Sequence, residues 1–420
     1  MSQTGPMAPH HRRAVFTVIA STLLVLAIAT GTLVAVFYKH LDGNLHAGQA
    51  IKHETTKKQS GPKAPLNILV MGLDTRDCAG CKIDNEPGGD GSDTTILVHI
   101  SADRKSAYGI SIPRDALVKP VACTEHSLYK ETGLVQWNAA YSAGGADCTA
   151  EQLEKNFGVF VDGYITVNFG GFKGMVDAIH GVNMCIPFEL SDPTYEKYTF
   201  EPGKSVHLNG TNALKYVRLR HVYGHGLDGS DIARMKRQQA FISAMIDKLH
   251  SADTLAQPYK LVQFANSLTK SMTPSPEFDS VKKLVKLAEQ VKDIDLTNIQ
   301  FITVPSQPYD VPRTDPVWGR VEILPAAKKM WKRVRQDKPL SQSLASGAIS
   351  AGGAGTTSDS TAASGSSTPS GTASASGVPS GSSSDSSSDS SSSSTSPSGS
   401  TSAETSEQAT KDAAKYGLCA

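Results

Sequence analysis

The chain has 420 residues, and its 41 basic and 40 acidic side chains leave a formal net charge of +1. A charge so close to zero supplies no overall field for nucleic acid or an anionic membrane surface, so phosphate binding must depend on local clusters. Residues 341–406 are nearly all Ser, Thr, Gly and Ala, which cannot bury enough apolar surface to fold. The rest is long enough for one sizeable hydrophobic core.

An apolar segment near the N-terminus, residues 14–38, contains no charged side chain. As a helix it would extend about 37 Å, enough to cross a bilayer. Arg12 and Arg13 precede it, which favours a cytoplasmic location for residues 1–13 and an extracellular location for the bulk of the chain. A cleaved signal peptide is the alternative, because Ala27-Ile28-Ala29 has the small-x-small pattern, but the apolar run continues well past that site.

Residues 39–65 are polar and contain Gly and Pro, as expected of a short extracellular linker. The apolar, β-branched runs that follow predict strands at 67–71, 94–100, 107–112, 164–167, 182–186 and 300–304. Periodicity and capping residues predict helices at 149–157 (N-cap Thr149), 172–180, 230–250 (N-cap Ser230), 278–291 and 325–334.

Strands that alternate with helices predict an α/β or α+β layered fold, with helices flanking a central mixed β-sheet. The near-continuous apolarity of the strands predicts a sheet that is covered on both faces. We therefore expect one folded domain at 66–337, followed by a disordered tail rich in Ser, Gly and Thr at 338–420.

Six cysteines are present, and an even number in an exported chain indicates disulfides. Cys123 and Cys148 are the preferred pair, because they flank one insertion-like segment. Cys78-x-x-Cys81 could be half of a zinc site, but no second CxxC accompanies it. Cys419 is either free or paired with Cys185.

Charged residues lie at the ends of the first three predicted strands. Asp74 follows the first, Asp93 precedes the second and Arg114 follows the third. Strand ends are where α/β sheets bind ligands, and two neighbouring carboxylates repel each other unless a cation such as Mg²⁺ lies between them. The alternative is that each Asp is only a turn or cap residue.

Further arginines follow in the second half of the chain. Arg218 and Arg220 are predicted to alternate along an extended segment and so to point to one face. An arc of about 120° at the start of the predicted helix 230–250 carries Asp231, Arg234, Arg237 and Gln238. A helix N-terminus favours anions. A solvated charged face is the alternative, but four arginines without a matching acidic run indicate a phosphate or pyrophosphate ligand.

Over residues 66–336 the chain resembles the LytR-CpsA-Psr family of cell-wall glycopolymer transferases, in its actinobacterial type. The matching blocks occur in the expected order, at residues 67–76, 92–94, 111–115, 137–141 with Gly144-Gly145, 213–221 and 231–239. The apolar N-terminal segment and the Ser-rich tail agree with that resemblance.

The resemblance implies a magnesium-dependent phosphotransferase outside the membrane, with manganese as the alternative metal. Such enzymes take a glycan from a polyprenyl-pyrophosphate carrier and join it to peptidoglycan through a phosphodiester. The implied partners are thus the lipid-linked donor, the peptidoglycan acceptor and the membrane, with no nucleic acid.

Carried over by position, Asp74 and Asp93 are the metal ligands. The implied pyrophosphate-binding residues are Arg76, Arg114, Arg218, Arg220, Arg234 and Gln238. The catalytic candidates are Arg114, Arg218, Arg220 and Asp231. The general base stays open among Asp74, Asp93 and Asp231.

The chain departs from the family pattern at Gly91, where an Arg often precedes the Ser-Asp pair. A prenyl chain needs an apolar slot, for which Phe169, Phe172, Met175 and Phe241 are candidates, although core packing explains them equally well. Two other functions remain alternatives: a polyprenyl-pyrophosphate hydrolase and a non-enzymatic, wall-binding or regulatory scaffold.

Overall fold

The structure is a computed structural model. It describes residues 9–54, 56–58, 64–74, 89, 91–127, 132–192, 198–220, 222–224, 227–228, 230–345, 347–352, 413 and 416–419. The predictions for Arg76, Cys78 and Cys81 concern residues outside these ranges.

The helices are α1 (Pro9–Asn44), α2 (Ala139–Phe157), α3 (Phe169–Ala178), α4 (Gly210–Arg218), α5 (Asp231–His250), α6 (Ala252–Leu255), α7 (Pro258–Ser271), α8 (Val281–Val291), α9 (Pro325–Arg335) and α10 (Gln342–Ala345). The strands are β1 (Leu66–Leu73), β2 (Ser92–Ile100), β3 (Ala107–Ile112), β4 (Leu117–Val118), β5 (Val135–Gln136), β6 (Gly163–Asn168), β7 (Val182–Ile186), β8 (Leu190–Asp192), β9 (Tyr198–Phe200), β10 (Gly203–Leu208), β11 (Tyr223–Gly224), β12 (Leu227–Asp228), β13 (Met272–Pro274), β14 (Ile299–Thr303), β15 (Ser306–Pro308), β16 (Val321–Ile323) and β17 (Ile349–Ser350).

A seven-stranded mixed sheet organises the domain, in the order β13-β6-β1-β2-β3-β14-β17. The pairs β1–β6 and β3–β14 are parallel, and the other pairs are antiparallel. Successive residues of β1 point to opposite faces, so Ile68 and Leu69 join different hydrophobic cores. Helices α2 and α9 cover one face, while α3, α4, α5 and α8 contribute to the cores on the other. The predicted layered fold with a doubly covered sheet is confirmed.

Helix α1 is long and apolar enough to cross a membrane over Val15–Asn44. It continues six residues beyond the predicted end at residue 38, and Leu41 is buried. The predicted linker is not a free tether either. Ile51 belongs to a hydrophobic core, and the Tyr164 hydroxyl donates a hydrogen bond to the Gln49 carbonyl at 2.7 Å. The chain therefore packs against the domain as soon as it leaves the apolar segment.

Two local predictions were wrong. The predicted N-cap Thr149 lies inside α2, which starts ten residues earlier and is kinked at Gly145 (φ 79°, ψ −158°). The segment predicted as extended at Arg218 is helical, because Asn209 caps α4 by accepting a hydrogen bond from the Asn212 N–H at 2.9 Å. Arg218 is the last residue of that helix. By contrast, Ser230 caps α5 as predicted.

Two disulfides fasten the described part of the domain. The predicted Cys123–Cys148 bond is confirmed, and Cys419 is paired with Cys185. The sheet also extends past the predicted domain end at residue 337, because β17 pairs with β14. Beyond it, Leu418 is buried in the core that contains α5.

Candidate active site

Asp93 lies at the centre of a charged cluster at one edge of the sheet. Its Oδ1 accepts a hydrogen bond from Arg114 Nη1 and its Oδ2 accepts one from Arg220 Nη2, both at 2.7 Å. Burial alone would raise the pKa of Asp93, but the neighbouring arginines, Arg114 and then Arg220, outweigh it and lower the pKa to about 2. Asp93 is therefore a fixed anion that aligns two guanidinium groups.

Arg114 follows β3 and is held by three carboxylates. Besides Asp93, its Nε lies 3.2 Å from Asp115 Oδ2 and 3.7 Å from Asp231 Oδ1. Burial alone would lower the pKa of Arg114, but these carboxylates raise it above the ordinary value. The guanidinium keeps its charge and has a fixed direction.

A supporting network around Asp115 was not predicted. Asp115 Oδ1 accepts hydrogen bonds from Arg320 Nη1 at 3.0 Å and from Gln136 Nε2. The backbone is tied as well, since the Val321 N–H donates to the Asp115 carbonyl at 3.0 Å. Asp115 thus connects Arg114 to the β15–β16 hairpin. Its position next to Arg114 was the only sign of this in the sequence.

The first turn of α5 places Asp231 and Arg234 behind this cluster. They form an ion pair, and the Arg234 side chain is only 3% exposed. Burial, reinforced by the like charges of Arg114 and Arg220, lowers the pKa of Arg234 to about 10 despite the opposing Asp231. Arg234 therefore lies at the back of the site.

Arg237 has a structural role instead. It is fully buried, and its Nη2 donates a hydrogen bond at 2.6 Å to the carbonyl of Leu219, the residue between Arg218 and Arg220. Arg237 thereby fixes the backbone that presents those two arginines.

Arg218 and Gln238 complete the predicted set. Arg218 Nη2 lies 4.0 Å from Asp74 Oδ2, and its guanidinium lies 5.0 Å from the centre of the Phe169 ring, within cation–π range. Gln238 Nε2 donates to the Val217 carbonyl at 3.1 Å, and Gln238 Oε1 accepts from the Thr94 hydroxyl at 3.2 Å. The structure thus brings together every predicted site residue that it describes.

An apolar cavity of about 120 Å³ opens at this cluster. Asp93, Arg218 and Arg220 form its charged end, together with the polar side chain of Gln238. Its apolar lining includes Val167, Phe169, Phe172, Leu214, Val217, Phe241 and Ile242. The three phenylalanines predicted as an apolar slot therefore line it, whereas Met175 is not part of the lining. The site can hold an anionic group and an apolar chain attached to it.

Asp74 and Asp93 suit a magnesium ion that takes only two of its ligands from the protein. Gly72 pairs with Thr94 and Leu73 pairs with Ser92 across the antiparallel strands β1 and β2, so Asp93 lies in a bulge at the end of β1, which Asp74 follows. Mg²⁺ commonly takes one or two carboxylates together with waters and phosphate oxygens. Within the described ranges, no group of three or more His, Cys, Asp or Glu side chains could hold a metal. The residues fit an ion whose remaining ligands are waters and the oxygens of a bound phosphate.

The backbone at Gly91, where the family pattern often has an arginine, leaves room for a Cβ atom. A Cβ built on Gly91 would lie 3.7 Å from Ser142 Oγ and 3.8 Å from Asn138 Nδ2, which are ordinary contacts. Packing at the Cβ position therefore does not require a glycine.

The LytR_cpsA_psr family model matches residues 34–334, which include six of the seven strands of the sheet and all of the cluster. The chain belongs to this family. The match begins at residue 34, inside α1, so it covers the end of that helix as well as the domain.

Relatives in this family agree with that assignment. The chain is 34% identical over 207 residues to the polyisoprenyl-teichoic acid–peptidoglycan teichoic acid transferase TagV of Bacillus subtilis (strain 168), covering 49% of each chain. It is 26% identical over 275 residues to the cell wall biosynthesis protein LcpA of Corynebacterium glutamicum, covering 57% of this chain and 49% of LcpA. The chain thus spans about half the length of these curated relatives.

The fold is also that of solved family members. The LytR-Csp2A-Psr enzyme from Actinomyces oris superposes with a TM-score of 0.52 at 18% identity, over 69% of this chain and 97% of that chain. At this identity the likeness supports the LytR_cpsA_psr fold.

Proposed function

We propose that this protein is a membrane-anchored, extracytoplasmic phosphotransferase that moves a glycopolymer from a polyprenyl-pyrophosphate carrier onto peptidoglycan. One observation carries the proposal: an arginine cluster ordered by Asp93 lies at the charged end of an apolar cavity. A lipid pyrophosphate has the same division into a charged head and an apolar chain. The names of the relatives from Bacillus and Corynebacterium agree with a role in wall assembly.

In this reaction the arginines stabilise charge. The oxygen of an acceptor hydroxyl forms a bond to the phosphorus that carries the glycan, and the bond from that phosphorus to the bridging oxygen breaks. Polyprenyl phosphate leaves, and the hydroxyl proton passes to a base. Arg114, Arg218 and Arg220 hold the pyrophosphate oxygens, where preorganised donors are most effective. Asp231 keeps Arg114 and Arg234 in place.

We also propose Mg²⁺ as the cofactor, with Asp74 and Asp93 as its protein ligands. When bound, it would neutralise charge on the pyrophosphate and so assist departure of the polyprenyl phosphate. The N-terminus is proposed to lie in the cytoplasm, because the basic residues Arg12 and Arg13 precede α1.

The test uses the full chain with a polyprenyl-pyrophosphate-linked glycan and peptidoglycan. Arg114→Ala and Arg218→Ala should each reduce glycan transfer by about 10²–10³-fold, the usual effect of losing one preorganised donor. Arg313→Ala is the matched control, because Arg313 stacks on Trp318 at 5.2 Å outside the cluster. It should leave transfer unchanged.

Product analysis with and without acceptor distinguishes the alternatives. Phosphate release that does not need peptidoglycan would replace the transferase with a hydrolase. Full activity of both arginine variants would contradict the role proposed for the arginine cluster. The cofactor is tested by chelating divalent metals and then adding Mg²⁺, which should abolish and restore transfer. Transfer that chelation does not affect would exclude a metal cofactor.

A further inference from the structure

Helix α7 is attached to the end of α1 by polar side chains. His40 Nε2 lies 3.3 Å from Asn266 Oδ1, and Asn44 Nδ2 donates to Asn266 Oδ1 at 3.3 Å and to Thr269 Oγ1 at 3.2 Å. Residue 40 of α1 thus contacts residue 266 of α7, whereas residue 44, one turn further on, also contacts residue 269. The two helices run in the same direction where they touch.

That direction places the N-terminal half of α7 beside the apolar part of α1. Val262 precedes Asn266 by four residues and Tyr259 precedes it by seven, which corresponds to about 6 and 10 Å along the helix. The first charged residue after the apolar segment is Lys39, next to the contact at His40. Phe37, two residues before Lys39, is the one residue between 15 and 40 that is half-buried, whereas the others are exposed. Val262 and Tyr259 therefore lie on the membrane side of this contact.

These two side chains are also unusually exposed. Among the described residues outside α1, the large exposed apolar side chains are Tyr259 (51%), Val262 (43%), Val285 (38%) and Trp318 (47%). At 100° per residue, Tyr259 and Val262 fall within about 80° of the positions of Asn266 and Thr269, so all four share one face of α7. The helix face that is polar against α1 becomes apolar and exposed towards the membrane.

Helix α8 is fixed to the same end of α1. The N–H of Val281, its first residue, donates to Asp42 Oδ1 at 2.7 Å. The next turns expose Lys282 and Lys286 together with Val285. Exposed lysines close to the end of a membrane-spanning helix suit the negative charge of lipid headgroups.

We propose that Tyr259 and Val262, the α7 patch, dock into the interfacial layer of the membrane beside α1. The occupant is the lipid surface itself, because the patch continues from a helix of membrane-spanning length and points back along it. The inference rests on α1 crossing the membrane and does not depend on the transferase reaction. It has a consequence for the site: α7 packs on α3, whose Phe169 and Phe172 line the apolar cavity, so docking places that cavity close to the bilayer.

The test is fluorescence quenching of the full chain in vesicles that contain brominated phospholipids. The wild type has three tryptophans, of which Trp137 and Trp331 are buried and Trp318 is exposed outside the patch. Tyr259→Trp should add emission that the bromines quench, while the wild-type emission stays unchanged. A depth of about 5–10 Å, usual for interfacial helices, predicts that bromines near the headgroup quench more than bromines near the chain end.

Val262→Trp repeats the test from the next turn, in case the first variant does not fold. Co-flotation with the vesicles shows that α1 has inserted. If the chain floats and neither variant gains a quenched component, the domain stands clear of the bilayer and the proposal is wrong. Equal quenching of the wild type would also contradict it, because Trp318 would then be as close to the lipid as the α7 patch.

Discussion

At the scale of single residues, α5 buries three cations within four positions and compensates each differently. Arg234 has the carboxylate of Asp231, and Arg237 has the Leu219 carbonyl. Lys236 Nζ donates to the carbonyl of Gly347 at 2.6 Å. A carbonyl compensates a buried ammonium less well than a carboxylate does, and burial lowers the pKa of Lys236 to about 8.

Lys236 should therefore make stability depend on pH. Between about pH 8 and 10.5 the unfolded chain binds the lysine proton and the folded chain does not, so the free energy of unfolding rises with pH. Between pH 7.5 and 9.5 the gain should be about 2 kcal/mol. Denaturant unfolding of the wild type and of Lys236→Met at both pH values measures it. The variant should lose this gain, whereas Lys329→Met, at an exposed position of α9, should keep it. An equal gain in Lys236→Met would refute the assignment.

The sequence predicted the centre of the site better than its support. Asp93 and Arg114 could be placed together because both lie at strand ends. Arg320 could not, since it is 205 residues from Asp115 in the chain and meets it only after the β15–β16 hairpin has packed. The pairing of Asp93 with two arginines was not predicted, because a carboxylate near a phosphate site is also typical of a metal ligand, the role proposed for Asp93 above.

At the scale of elements, the sequence predicted strands and helices with a strong apolar pattern. It did not predict helix starts that depend on a single capping residue. Five strands of the central sheet, β1, β2, β3, β6 and β14, are predicted to within a few residues, whereas the short edge strands β13 and β17 are not predicted. The alternation of Arg218 and Arg220 predicts an extended segment, but the residue that starts the helix there, Asn209, lies nine positions upstream of Arg218. The first part of α2 was likewise not predicted, because the helix is interrupted by the non-helical backbone of Gly145.

The packing of α3 on α7 leads to a second prediction at this scale. A Cβ built on Gly171 would overlap the Ser271 side chain and approach Ser271 Cα to 3.0 Å, so the two helices can touch only with a glycine there. Gly171→Ala should destabilise the protein by about 1–3 kcal/mol, as overpacking does. Because α3 lines the apolar cavity, lipid binding should weaken too. Thermal unfolding and binding of a polyprenyl phosphate measure the two effects.

Gly174→Ala is the matched control on the same helix. Its Cβ would lie 3.3 Å from Ser267 Oγ and 3.4 Å from Ser267 Cβ, a contact that a small shift relieves. The gain from replacing a helical glycine, about 0.5–1 kcal/mol, should offset that shift. Equal melting temperatures for the two variants would show that the close approach at Gly171 is unimportant.

At the scale of the whole molecule, the segment between α1 and the sheet joins the membrane-type helix to the domain as one packed structure. Gly48 N–H donates to the Pro274 carbonyl at 2.8 Å, and the His53 ring stacks on Phe160 with centroids 4.3 Å apart. His53 Nδ1 lies 2.9 Å from the buried Glu154 Oε1. Composition predicted a polar linker, but it could not show these contacts, because their partners lie about 100 residues or more away in the chain.

This packing predicts resistance to proteolysis. Lys52 is exposed but lies next to the buried Ile51, so trypsin can cleave after it only when the segment opens. Burial of the Ile51 side chain contributes about 2 kcal/mol, and Ile51→Asp removes it, so cleavage after Lys52 should become more than about tenfold faster. Mass spectrometry of timed digests of the full chain follows this bond. Val285→Asp, which changes an exposed apolar residue of α8, should leave the rate at wild-type level. Rapid cleavage of the wild type would mean that the anchor and the domain are joined by a loose tether, and the position of the α7 patch beside the membrane would lose its basis.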